Sequence, residues 1–179
     1  VDYPSFDSAT VKDTYNNVIK SAGSPLINKN VSYSATPGSI YKLISSYYFL
    51  EKTPVNESTS IYSNRCMSLS EGVNFCEFNE NFYGNVDLNR ALGLSSNIYF
   101  CELARQYSDA GDFRKIQEAF FINRAAELPL TGSTSGNIPL SGNVAQDWYL
   151  GDTCNILIGQ GQVLVTPYNA LIFTSLILT

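Results

Sequence analysis

Two side chains with the means for covalent chemistry stand close together in the stretch Thr36 to Ile44, TPGSIYKLI. Pro37-Gly38 is a turn signal, and behind it Ile40, Leu43, Ile44, Tyr47 and Tyr48 recur at helical spacing, which puts Ser39 at or near a helix N-terminus. Residues three apart share a helix face, so the Lys42 ammonium can reach the Ser39 hydroxyl. The two make a nucleophile beside a base, provided that the lysine is neutral when the serine attacks. Neutrality near pH 7 means a pKa pulled down from about 10.4, and each unit costs about 1.4 kcal/mol, so the fold would have to supply roughly 4 kcal/mol. An isolated S-x-x-K reads more simply as a helix cap followed by a solvated lysine. The rest of the chain has to decide between them.

Several chemistries are excluded at once. The 179 residues contain no histidine, which removes Ser-His-Asp and Cys-His catalysis and nearly all zinc enzymes, and leaves acid-base work to Lys, Glu, Asp or Tyr. A net charge of -5 with no basic run argues against nucleic-acid binding. Cys66, Cys76, Cys101 and Cys154 form no C-x-x-C, so a metal site is not expected and no cofactor is implied. Cys66 and Cys76 flank a polar loop and could pair in an oxidising compartment; Cys101 reads as a small buried hydrophobe. Glu102, Glu118 and Glu127 lie on helices whose other faces are apolar and read as solvated charges. The chain opens Val1-Asp2-Tyr3 without an initiator methionine, and is expected to be a piece of a longer polypeptide.

The elements that must position Ser39 and Lys42 follow from pattern. The spacing predicts a helix from a Ser8 cap through Val11, Tyr15, Val18 and Ile19 to Gly23, then a connecting segment over Ser24 to Tyr33. The Ser39 helix should run to about Glu51, where Pro54 stops it. Thr53 to Cys76, rich in Ser, Asn and Glu, reads as a mobile loop. Val86 to Leu92 is a short helix, and another starts near Ser95 with Phe100, Leu103, Ala104 and Tyr107 on one face. Asp112 can cap a third helix carrying Phe113, Ile116, Phe120 and Phe121. Thr131 to Gly142 is a Gly/Ser/Thr-rich loop. Thr166-Pro167 is a cap followed by proline at the first helical position, opening an almost wholly apolar helix that should be buried.

Read together, these stretches resemble a known family. Ser39-x-x-Lys42 follows Pro37-Gly38, and Ser95-Ser96-Asn97 supplies an S-x-N downstream. PSFD at Pro4 to Asp7, SPLINKN at Ser24 to Asn30, the run from Gly84 to Phe100 and IGQGQVLVTP from Ile158 to Pro167 fit in order. The chain resembles the transpeptidase domain of penicillin-binding proteins, of the high-molecular-weight, membrane-anchored kind. S-x-x-K with a serine-containing triplet and K-T-G is the signature of these acyl-serine enzymes.

The resemblance implies an α/β (α+β) domain of the β-lactamase/transpeptidase-like (DD-peptidase) fold, with residues 1–179 a single, incomplete transpeptidase domain. It implies a D,D-transpeptidase that cross-links peptidoglycan stem peptides through an acyl-serine and is inhibited covalently by β-lactams. Ser39 would be the nucleophile and Lys42 its base. Ser95 would relay a proton to the leaving amine, and Asn97 would bind the substrate amide and help place Lys42. Left to themselves, Ser95 reads as a helix cap and Asn97 as an exposed first-turn residue. The implied setting is the outer face of a bacterial cytoplasmic membrane, with the anchoring helix outside this chain. Its partners would be stem peptides, β-lactam antibiotics, the remaining part of the same domain and the glycosyltransferase machinery.

One departure stands out. No K-T-G occurs, so the central antiparallel sheet should be largely missing and this chain should supply mainly the helical lobe. A penicillin-binding sensor or an inactive structural relative is the alternative reading.

Overall fold

Short helices, several of them started by a side-chain cap, supply most of the regular structure among the described residues, and two small sheets accompany them there. The computed structural model describes residues 5–127, 132–139 and 148–178. Helices α1 (Val11–Val18) and α2 (Lys29–Ser32) lead to a 3-10 turn, Gly38–Tyr41, which runs directly into α3 (Lys42–Lys52). Strands β1 (Ile61–Asn64), β2 (Cys66–Ser70), β3 (Val73–Cys76) and β4 (Phe82–Val86) follow, then α4 (Leu88–Leu94), α5 (Asn97–Tyr107), α6 (Ala110–Ala119), α7 (Leu150–Leu157) and α8 (Pro167–Leu178).

Helix α5 is the spine. Ser96 caps it by accepting the Tyr99 N–H at 3.1 Å, and Ile98, Tyr99, Phe100, Leu103 and Ala104 are buried. Six side chains of α3 are buried too, Lys42, Ile44, Ser45, Ser46, Tyr48 and Phe49. Tyr41 is fully enclosed and its hydroxyl accepts a hydrogen bond from Gln117 Nε2 at 2.6 Å, so it belongs to the core as its position suggests. A disulfide between Cys101 and Cys154 ties α5 to α7.

β1 pairs antiparallel with β4, Ile61 opposite Val86 and Ser63 opposite Gly84, and β2 pairs antiparallel with β3. Single bridges join Ala35 to Val165 and Asn137 to Leu164. Among the described residues no larger sheet forms, as expected for a helical lobe.

Several expectations need correction. Residues 53–76 are not one loop: β1, β2 and β3 lie there. The apolar alternation is masked because an inward position of β1 is Ser63, buried and bonded to Glu77, where a hydrophobe would have announced a strand. Cys101 is not a free hydrophobe but half of a disulfide. Asp109, not Asp112, caps α6, accepting the Asp112 N–H at 2.9 Å. α2 sits inside the supposed connector, capped by Asn28, and α7 was not foreseen because Gly151, Asp152 and Thr153 interrupt its short apolar period. α1 is shorter than expected, ending at Val18, and none of its residues is buried.

Helix α8 starts where the cap predicts. Thr166 Oγ1 accepts the Asn169 N–H at 3.0 Å while Asn169 Oδ1 accepts the Thr166 N–H at 3.1 Å. It is not buried, however. Phe173 and Asn169 face the core, whereas Leu171 and Leu178 are 67% and 81% exposed, because the described residues cover only one side of this helix. Pro4 of the PSFD stretch, Thr131, residues 140–142 and Thr179 fall outside the described residues.

Candidate active site

Ser39 is the second residue of the 3-10 turn Gly38–Tyr41, and its side chain is exposed. In a 3-10 turn residues three apart stack one above the other, so the turn sets Ser39 over Lys42 more directly than an α-helical turn would. The turn itself is held from outside. Gly38 N–H donates to the Gly159 carbonyl at 2.8 Å, and Ser45 Oγ donates to the Leu157 carbonyl at 2.7 Å. Gly159 has a φ of +73°, and a Cβ there would meet the Gly38 carbonyl and come within 2.7 Å of Tyr41 Cβ. Glycine is therefore required by both its conformation and its contact.

Lys42 is 1% exposed. Its ammonium donates to the Ser95 carbonyl at 2.6 Å, to Ser95 Oγ at 3.0 Å and to Asn97 Oδ1 at 2.8 Å, and lies 6.0 Å from the centre of the Phe100 ring. All three ammonium donors are used and none goes to Ser39, so the direct Ser39–Lys42 hydrogen bond that the spacing allows is not formed. Burial pushes the Lys42 pKa down from its ordinary value near 10.5 to about 8, against the opposing pull of the Glu77 carboxylate. Desolvation thus lowers the pKa in the direction that the sequence argument requires, though not as far as neutrality at pH 7.

Ser95 does not cap α5. It ends α4 in the left-handed conformation, φ 55° and ψ 42°, which turns both its carbonyl and its hydroxyl toward Lys42. A non-glycine residue held there costs about 1–3 kcal/mol and persists only where its surroundings enforce it. The cap falls to Ser96, one residue on. Asn97 opens α5 half-buried rather than exposed, and its Nδ2 donates to the Cys76 carbonyl at 3.2 Å, which leaves Oδ1 for Lys42. Of the four residues singled out by the S-x-x-K and S-x-N motifs, Lys42, Ser95 and Asn97 are therefore in contact, and Ser39 is exposed one turn before Lys42.

Two residues that sequence reasoning passed over belong to the same region. Glu77, directly after β3, is 3% exposed and accepts hydrogen bonds from Ser63 Oγ at 2.7 Å, from Ser96 Oγ, from Asn97 N at 2.5 Å and from Ile98 N at 3.2 Å. A charged residue between Cys76 and Phe78 was its one signal. Gly159 lay inside the IGQGQ stretch with no role attached.

Cys66 and Cys76 are joined by a disulfide, the pairing that their flanking positions allowed. They and Glu80 form the group of His, Cys, Asp and Glu side chains close enough to share an ion among the described residues, but two sulfurs bonded to each other are poor ligands. Glu102 and Glu118 form ion pairs with Arg105 and Arg114, but the Glu102 side chain is only 15% exposed, and Glu127 is exposed without lying on a helix as expected.

A family model for the penicillin binding protein transpeptidase domain matches residues 1–178. The chain belongs to the penicillin-binding protein transpeptidase family. Solved structures agree in fold. Penicillin-binding protein PBP2 of Helicobacter pylori, in a complex with MreC, superposes with a TM-score of 0.88 at 24% identity, over 98% of this chain and 34% of that one. PBP2 of Pseudomonas aeruginosa, in complex with WCK 5153, gives 0.88 at 24% identity over 98% and 42%. Penicillin-binding protein A of M. tuberculosis, as an imipenem acyl-enzyme complex, gives 0.77 at 19% identity over 95% and 40%. The transpeptidase-family chain therefore spans well under half the length of these structures. No curated protein matches its sequence. Among the described residues no helix is long and apolar enough to cross a membrane.

Proposed function

We propose that this chain carries the acylating part of a peptidoglycan D,D-transpeptidase, with Ser39 as nucleophile and Lys42 as its base. The single observation that supports this most is the state of Lys42, a buried lysine with its pKa lowered to about 8, one turn from an exposed serine and bonded to both members of the S-x-N triplet. A surface lysine has none of these properties.

In the proposed reaction Ser39 Oγ attacks the carbonyl carbon of the penultimate D-alanine of a stem peptide, and its proton passes to the neutral Lys42 Nζ. A neutral Lys42 keeps two N–H donors and gains a lone pair, so one of its three present contacts is given up and the lone pair becomes available to the Ser39 proton. The Ser39 N–H, in the opening turn of a helix, is a donor for the developing oxyanion. As the C–N bond breaks, Ser95 Oγ passes its proton to the departing D-alanine amine and takes the proton held by Lys42 Nζ in its place. Asn97, whose side-chain amide already spans Lys42 and Cys76, is proposed to hold the donor peptide at the mouth of the site. An amine from a second stem peptide then takes the acyl group and frees Ser39. β-Lactams would acylate the same oxygen. A second oxyanion donor and a cation for the substrate carboxylate, the work of K-T-G in such enzymes, would come from outside these residues, and so would a membrane anchor, placing the protein in the cell envelope with the glycan-polymerising machinery.

The test is covalent labelling of the full-length protein with a fluorescent penicillin, read by intact mass, with Ser39→Ala as control. One adduct that disappears in Ser39→Ala is expected, and a folded protein that stays unlabelled would refute the proposal. Incubation with a stem-peptide donor and an amine acceptor separates cross-linking from mere sensing. A transpeptidase releases D-alanine and forms the cross-linked product, whereas a sensor acylates and stops.

A further inference from the structure

The S-x-N triplet is held from behind by a carboxylate that takes no part in the proposed proton transfers. Glu77 Oε1 accepts from Ser63, Ser96 and Ile98, and Oε2 accepts from the Asn97 N–H. No lysine or arginine lies within ion-pair distance of it among the described residues. Burying a carboxylate without a direct ion pair is costly, and four donors, two of them at the positive end of α5, help to make it tolerable. Ser96 already caps α5, so helix initiation alone does not explain the expense. The placement of the triplet does. Asn97 is fixed twice from the same stretch, its backbone by Glu77 and its side chain by the Cys76 carbonyl, and this aims Oδ1 at Lys42.

We propose that Glu77 is a positioning residue, which locks the Ser95–Asn97 turn against Lys42 and sets a fixed negative charge behind it. The inference rests on the reading of Ser39 and Lys42 as the acylating pair. Its second half follows from what faces Lys42. Ser95, Asn97 and Phe100 surround the ammonium without charge, and Glu77 is the charged group whose field acts on it, favouring the protonated form against desolvation. Without that charge, the lysine would lose its proton at a lower pH. Glu77 thus balances two needs of the site: a Lys42 that is neutral often enough to act as base, and one that is still charged often enough to hold Ser95 and Asn97 in place.

The experiment compares full-length wild type with Glu77→Gln and Glu77→Asp. The titration of Lys42 is followed by NMR of 15N-labelled lysine, assigned with Lys42→Arg, and the pH profile of penicillin acylation is recorded beside it. Glu77→Gln is expected to move the Lys42 midpoint and the rising limb of the acylation profile to lower pH together. Its plateau rate should fall at least about tenfold, since an amide nitrogen facing the Asn97 or Ile98 N–H displaces the turn. Glu77→Asp keeps the charge but retracts it, so the midpoint should stay near that of wild type while the plateau falls. An unmoved Lys42 midpoint in Glu77→Gln overturns the proposal, because a merely structural role lowers rate or stability and shifts no titration. If Glu77→Gln does not fold, a Glu77→Asp protein acylating at the wild-type rate overturns it instead. Should wild type itself never acylate, the reading of Ser39 fails separately, and the titration decides the role of Glu77 on its own.

Discussion

Replacing Gly159 by alanine should disable the site from a residue outside both the S-x-x-K and the S-x-N motif. Gly159 has φ +73°, a conformation that costs an L-residue about 1–2 kcal/mol. The added methyl would run into the Gly38 carbonyl and lie 2.7 Å from Tyr41 Cβ, so the backbone of one turn has to move. Overpacking of that kind costs about 1–3 kcal/mol, and loss of the Gly38 N–H to Gly159 carbonyl bond adds about 1 kcal/mol. Together the expected loss is roughly 3–6 kcal/mol. The turn displaced is the one carrying Ser39, and a misplacement of about 1 Å at a reacting group can cost about 100-fold in rate. Gly161→Ala is the control, since Gly161 shares the positive φ, +70°, but a Cβ there finds only Asn155 Cβ at 3.4 Å. Denaturant unfolding and penicillin labelling of both variants separate backbone conformation from contact. Gly161→Ala should lose about 1–2 kcal/mol with labelling nearly intact. If the two variants lose the same stability, or Gly159→Ala labels at the wild-type rate, the contact between Gly159 and the Ser39 turn does not matter as argued.

Two further outcomes follow from the same geometry. Lys42 titrates near 10.5 when unfolded and at about 8 when folded, so the penalty of burying it charged is fully present below pH 8. It is relieved as pH rises from there to about 10.5, which should add about 3 kcal/mol relative to Lys42→Met over that window, measured by urea unfolding at each pH; the acylation rate should climb through the same pH 8, and a flat profile between pH 7 and 9 would exclude Lys42 as the base. The two disulfides should differ in kind. Cys101–Cys154 closes the longer span, a sequence separation of 53 against 10, so its double alanine variant should lose about 4 kcal/mol against about 3 for Cys66–Cys76, whose removal should slow acylation more because Cys76 carries the carbonyl that holds Asn97; equal acylation rates in the two folded variants would argue against that coupling.

Sequence alone went furthest where the physics is local. Pro37-Gly38 and the helical repeat behind it located the turn and the start of α3, Thr166-Pro167 marked the start of α8, and the apolar face of α5 was readable from Phe100, Leu103 and Ala104, because caps and periodicity act within one or two turns of chain. The resemblance carried by Ser39-x-x-Lys42 and Ser95-x-Asn97 named the family that residues 1–178 belong to. What surrounds those residues was decided by contacts between distant segments. Ser63 hid β1 because its burial is explained only by Glu77, and Glu77 had no meaning until β3 brought it under the N-terminus of α5. The left-handed turn at Ser95 shifted the cap to Ser96, and with it the direction of the hydroxyl and carbonyl that hold Lys42. Whether Lys42 was a solvated charge or a candidate base could not be settled by spacing, since the same four letters serve both; burial and three acceptors from the junction of α4 and α5 made the difference, and those exist only once the chain has folded.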